Sequence, residues 1–216
     1  MRISRKLLIA IIGSSLLFMA NTANATLSLT VTDLNTSDSV SFTDNGVGDM
    51  SVFLGWLRTG GAIGNWAYGS DAWGAPIVGD QYSNEIDLSS SAVKYIGDST
   101  GSLQISLTQT GIDKLVAPFN LGVGGTAAGT IQFESYINGV LVSDSGLLSG
   151  AFVYTDAGET SEVAAYDWTV VATITSGAKS ESSFNYKVTI PEPGILSLLG
   201  LGMLSIGYIS RKRKYV

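Results

Sequence analysis

The chain has 216 residues, with no cysteine and no histidine. Disulfide cross-links, Ser-His-Asp and Cys-His catalysis and imidazole-held zinc are thereby excluded. Residues 26–190 hold five of the 12 basic and 17 of the 18 acidic residues, a formal charge of −12, which excludes nucleic acid as a partner.

Residues 1–25 read as a secretory signal peptide. Arg2, Arg5 and Lys6 form a positive n-region, Leu7 to Ala20 an apolar h-region, and Ala23-Asn24-Ala25 a small-residue cleavage site. The apolar run is too short for an ordinary spanning helix, which needs about 20 residues. Export through a translocon and removal of the leader by signal peptidase are expected, leaving Thr26 as the first mature residue. Residues 26–190 then form one domain, long enough to bury most of its apolar surface.

That domain reads as strands throughout. Leu27, Leu29 and Val31 alternate with Ser28, Thr30 and Thr32, and Val40 and Phe42 repeat the pattern before a turn at Asp44-Asn45-Gly46. The stretch from Gly55 to Tyr82 is different: Trp56, Trp66, Tyr68, Trp73 and Tyr82 stand among glycines with little alternation. Leu103, Ile105 and Leu107 alternate again. Ile131, Phe133 and Ile137 lead to Asn138-Gly139 and then Val140 to Val142, a strong hairpin signal because both turn residues tolerate positive φ. Tyr166, Trp168, Val170, Ala172 and Ile174 form a long strand, and Phe184, Tyr186, Val188 and Ile190 the last. No apolar period of 3.6 interrupts them. The expected fold is all-β: an antiparallel, jelly-roll-like β-sandwich of eight or more strands with a Thr/Ser-rich outer face.

The domain holds four candidate sites. Trp56, Trp66 and Trp73 are candidate carbohydrate contacts, the competing reading being that they fill the core. The Asp44 to Asp49 turn has oxygen ligands suited to Ca²⁺ but lacks the spacing of an EF-hand, so an ordinary solvated turn is the stronger reading. Asp80, Glu85 and Asp87, or Asp156, Glu159 and Glu162, would be the carboxylates of a polysaccharide hydrolase; on so acidic a domain they read first as solvated surface. Gly122 to Ala127 fits a dinucleotide fingerprint superficially, but a strand comes after it where that motif needs a helix. No catalytic or cofactor-binding residue is assigned, and a non-enzymatic protein is expected.

The chain closes on three signals in order. Pro191-Glu192-Pro193 is rigid and extended. Gly194 to Ser210 carries no charge and just reaches the length of a spanning helix. Arg211, Lys212, Arg213 and Lys214 then form a stop that stays on the cytoplasmic side, so the domain lies across the inner membrane from it. Residues alone leave open whether this is a permanent tail anchor.

This arrangement over residues 191–216 resembles the PEP-CTERM sorting signal of Gram-negative bacteria. The resemblance implies recognition of Pro191, Glu192 and Pro193 by an exosortase-like membrane protease. The helix and basic tail would hold the protein in the inner membrane, body periplasmic, until it is cut near the motif. It also implies delivery to the cell surface or extracellular matrix, in association with exopolysaccharide or biofilm. The body is similar to small exported PEP-CTERM proteins in its opening strand, the turn Asp44 to Asp49, and the turn-like residues Gly124-Gly125-Thr126 and Gly129-Thr130. The expected function is a surface or matrix protein, the alternative a carbohydrate-binding module.

Overall fold

The computed structural model describes residues 26–74, 85–112, 118–159 and 166–189. The leader with Ala23 and Ala25, the tripeptide Pro191 to Pro193 and the tail Arg211 to Lys214 lie outside the described residues. Among those described, the secondary structure is eleven strands and no helix. In chain order they are β1 (Leu27–Asp33), β2 (Ser39–Thr43), β3 (Trp56–Ile63), β4 (Trp66–Trp73), β5 (Glu85–Tyr95) and β6 (Gly101–Ile112). Then come β7 (Pro118–Ile137), β8 (Val140–Asp144), β9 (Leu148–Glu159), β10 (Tyr166–Ser176) and β11 (Ser180–Thr189). The all-β, antiparallel expectation holds.

Hydrogen bonding runs β2-β1-β6-β10-β7-β11-β5-β4-β3, with β8 and β9 on the other side of β7. The 20-residue β7 serves both halves of this sheet. Its first part, Asn120 to Thr126, pairs with β11, and its second part, Thr130 to Ile137, pairs with β10. The change falls where the pairing with β9 slips, between Ala127 and Thr130.

Two glycines permit the bend. A Cβ on Gly125 would collide with the Ser183 carbonyl oxygen and lie 2.8 Å from Phe184 Cα; one on Gly129 would collide with the Thr175 carbonyl oxygen. Here glycine is required by close backbone approach, not by φ. The Asn138-Gly139 hairpin needs the other property of its residues, with φ of 49° and 77° joining Ile137 to Val140.

Beyond the bend the halves face one another. Phe133 of β7 meets Phe184 of β11 edge-on at 5.3 Å, and Trp168 of β10 meets Phe119 at the start of β7 at 5.0 Å. The end strands β2 and β3 also touch, so the sheet is nearly closed. Into this core go the alternating residues of the sequence pattern: Leu29 and Val31, Ile105 and Leu107, Val170 and Ile174, Tyr186 and Val188, all fully buried. Outward, hydroxyls pair across strands, Thr30 with Ser41 at 2.9 Å and Thr108 with Thr169 at 3.0 Å.

One polar tie crosses the core. Tyr186 is buried on β11, and its hydroxyl contacts Ser135 Oγ at 2.9 Å and accepts the Trp168 Nε1–H at 3.3 Å, both from the opposite half. Burial drives its pKa upward, so it stays a neutral phenol.

Two expectations need correction. The stretch from Gly55 is a regular hairpin, β3 to β4, with Gly64 at the turn. Its alternation is hidden because Ser70 and Ala72 share the buried face with Trp66 and Tyr68. Gly124, Gly125, Gly129 and Thr130 lie inside β7 and are not turn residues. The same strand contains Gly122 to Ala127, which removes the dinucleotide reading.

Tyr186→Phe leaves Ser135 and Trp168 without their buried partner. A loss of about 1–3 kcal/mol is expected, a fall of roughly 3–10 °C in melting temperature by circular dichroism. Gly129→Ala should cost more, because its neighbours are backbone atoms of β10 that have no room to shift.

Candidate ligand-binding face

The outer face of the half built from β3, β4, β5, β11, β7 and β9 carries the candidate site. In antiparallel pairs, residues opposite one another share a face, so the registers place side chains in rows. One row reads Trp56, Trp73, Asp87, Lys187, Gly122 and Thr155. The next reads Arg58, Asp71, Ser89, Asn185, Gly124 and Val153.

The aromatic end is a stack. Trp56 and Trp73 face each other across the β3–β4 hairpin at 4.4 Å and 11°, and Phe53 lies against Trp56 at 5.7 Å and 15°. Arg58 holds its guanidinium carbon 5.4 Å from the Trp56 ring centre while its Nε donates to Asp71 Oδ1 at 2.7 Å. Trp56 is thus half-buried between its neighbours, and Trp73 leaves 40% of its surface open.

Toward the middle the floor drops. Gly122 and Gly124 bring no side chain to the face, and a Cβ at Gly122 would meet nothing within 4 Å. An open depression of about 390 Å³ is lined there by Asp71, Ser89, Gly124 and Asn185, among others. A second, of about 480 Å³, lies across β7 and β9 by Asn120, Thr155 and Ala157. The face is therefore a trough with a ring stack at one side and amide, hydroxyl and charged groups along it.

Its charges are paired or partly neutral. Lys187 Nζ stands 2.7 Å from Glu85 Oε1. Burial pushes the Asp87 carboxyl up to about 6; nearby Lys187 opposes the shift, and Glu85 and Asp71 add to it.

The sequence-predicted residues divide sharply. Trp66 is 1% exposed and packs against Tyr95 at 4.7 Å, so it is a core residue with no ring face to offer a ligand. β4 turns it inward because it lies an odd number of residues from Trp73. Trp56 and Trp73 come together as described. In the Asp44 to Asp49 turn the carboxylates hold the loop itself. Asp49 accepts the backbone N–H groups of Asn45, Ser51 and Arg58 at 2.9 to 3.0 Å, and Asp44 that of Gly55 at 2.7 Å. Among the described residues no group of three or more acidic side chains is arranged to hold a metal ion.

Of the carboxylates, Asp80 and Glu162 lie outside the described residues. Asp156 accepts from Ser143 Oγ at 2.5 Å, which holds its pKa below the usual range, and borders the second depression. Sequence reasoning missed Ser89, Asn185, Lys187 and the two floor glycines. The signal for them was a glycine at every second position of a strand, which strips one face, and polar residues alternating with Phe184, Tyr186 and Val188.

Asp87 yields a pH prediction. Its folded pKa exceeds the ordinary 3.8, so the folded chain binds this proton more tightly, and stability is lost as pH rises from 3.8 through about 6. Asp87→Asn should raise the melting temperature above about pH 6 and match the wild type below about pH 4, as thermal scans across pH would show.

By structure the chain is similar to a PA14 sugar-binding domain from RTX adhesin, with a TM-score of 0.32 and 10% identity over 47% of this chain and 71% of that one. It is similar to TmCBM61 in complex with beta-1,4-galactotriose, with a TM-score of 0.34 and 10% identity over 68% and 92%. The enzymatically active domain of bacteriophage CBA120 tailspike protein 4 gives 0.37 and 13% over 68% and 21%. No curated protein matches the sequence. Residues 189–214, however, match the family model of the PEP-CTERM protein-sorting motif, so the chain carries a sorting signal that marks it for export.

Proposed function

We propose that this is a non-enzymatic surface or extracellular-matrix protein that binds polysaccharide on the trough beside Trp56 and Trp73. Residues 1–25 are removed by signal peptidase after passage through the translocon. Gly194 to Ser210 and the basic tail then hold the body on the periplasmic side until an exosortase-like protease cuts near Pro191 to Pro193. The two halves of the sheet act as the layers of a jelly-roll-like sandwich, a rigid carrier for the face.

The observation that carries the reading is the ring stack set beside a polar row above two bare glycines. Aromatic faces pack on the apolar C–H faces of sugar rings. Asn185, Ser89 and the carboxylates present donors and acceptors for hydroxyls, and the glycine floor leaves the depth a sugar chain needs. The paired charges favour a neutral glycan over an acidic one. Glu85 and Asp87 stand two residues apart on one strand, where a glycosidase needs carboxyl groups flanking the bond to be cut; this supports binding without hydrolysis.

Affinity electrophoresis in neutral polysaccharides and in exopolysaccharide from the protein's own cells tests the face. Trp73→Ala and Asn185→Ala should each weaken binding about tenfold, and Thr169→Ala, on the other half's outer face, should not. Unchanged mobility for Trp73→Ala would sink the proposal. Delivery is tested by intact mass and location: wild type shortened at both ends and outside the cell, Glu192→Ala retained in the membrane at full C-terminal length.

A further inference from the structure

The turn before β3 exposes an unusual amount of apolar surface. From Met50 to Leu57 the chain carries no charge, and Val52, Phe53 and Leu54 are 84%, 61% and 57% exposed. Contiguous exposed apolar groups of this kind mark an interaction surface. The turn is also stiff. Trp56 N–H donates to the Phe53 carbonyl at 3.1 Å, Gly74 N–H to that of Gly55 at 3.0 Å, and Met50 N–H to that of Arg58 at 2.8 Å. The Asp44 and Asp49 carboxylates accept the N–H groups of Gly55, Ser51 and Arg58. Little conformational entropy remains to be lost when something covers it.

Its place in the fold says what that is. Trp56 lies opposite Trp73, Trp73 opposite Asp87, and Asp87 opposite Lys187. Thr189, the last described residue, stands two positions on, toward the same end of the sheet. The turn is therefore about three strand spacings, roughly 14 Å, from where the chain leaves for its uncharged segment. Thr189 and Gly194 are five residue steps apart, at most about 18 Å of extended chain. A body held on so short a tether keeps this end against the bilayer.

We infer that Val52, Phe53 and Leu54, with the rim of Trp56 and Trp73, dock on the membrane interface while the C-terminal segment anchors the chain. Phe, Leu and Trp are side chains that settle at the boundary of headgroups and acyl chains. The carboxylates of Asp44, Asp49 and Glu85 nearby select a zwitterionic surface and oppose an anionic one. Docking rests on the anchored stage of the sorting reading. It ends when the chain is cut, which frees the ring stack for the trough beside it.

The chain has no cysteine, so a single one can be labelled cleanly. The intact chain is reconstituted into phosphatidylcholine vesicles with an NBD dye on Phe53→Cys or, as the control, on Lys179→Cys, which precedes β11 at its far end. Spin-labelled lipid should quench the dye at 53 at least about twofold more than at 179, and adding Val52→Ser and Leu54→Ser should abolish the difference. Equal, weak quenching in a chain that floats with the vesicles overturns the docking alone. A blue-shifted dye at 53 that ignores the quencher and reverts on dilution means that a second copy covers the turn, which also overturns it. A chain that fails to float removes the anchor, and the docking with it.

Discussion

Everything in this protein hangs on one strand passing through a corner. β7 hydrogen-bonds to β11 and β9 before the bend and to β10 and β8 after it. That is possible because the backbones of β10 and β11 come closer at Gly129 and Gly125 than any side chain permits. At the corner, where strand pairing is interrupted, the Ala128 N–H donates to the Ser182 hydroxyl at 3.2 Å, so that backbone donor keeps a partner. The corner also fixes which surfaces face each other. Once β7 turns, Phe133 must meet Phe184, Trp168 must meet Phe119, and the opposite faces of the same strands are left to solvent.

An exported chain without disulfides has to find its stability in that core. Surface ion pairs add little: Arg58–Asp71 and Lys187–Glu85 are both substantially exposed, and such pairs contribute about 0–1 kcal/mol. Their part is positional, since Arg58 is pinned over Trp56 by Asp71. The Tyr186 hydroxyl is different in kind. It satisfies two buried groups from the opposing half, so it rewards a single registration of the two layers where apolar contact alone would tolerate several.

The sequence was legible wherever side-chain size and polarity alternate together. β1, β6 and β10 announce themselves because most of their buried residues are large and apolar and most of their outward ones are Ser and Thr. The Asn138-Gly139 hairpin is legible for a separate reason, its demand for positive φ. β4 is obscured because Ser70, a small polar residue, is buried in line with Trp66 and Tyr68. The bend in β7 is obscured because glycine signals a turn, a bulge or close approach alike, and only partners distant in sequence decide which. The candidate face was half visible. Aromatic content drew attention to Trp56 and Trp73, but the rows uniting them with Asp87, Lys187 and Asn185 cross four strands, and long-range registers are set by the whole sheet.

The segment from Asp49 to Ser51 has one more effect. It runs back along β3, with Met50 N–H bonded to the Arg58 carbonyl and the Arg58 N–H capped by Asp49. β3 ends the hydrogen-bonding order, so its outer groups would otherwise be open to any extended chain. Short as it is, this cover occupies the pairing sites at the strand's beginning, and Gly60 and Gly61 weaken the remainder of β3 as a template. The first part of this edge is thereby closed to pairing with another extended chain.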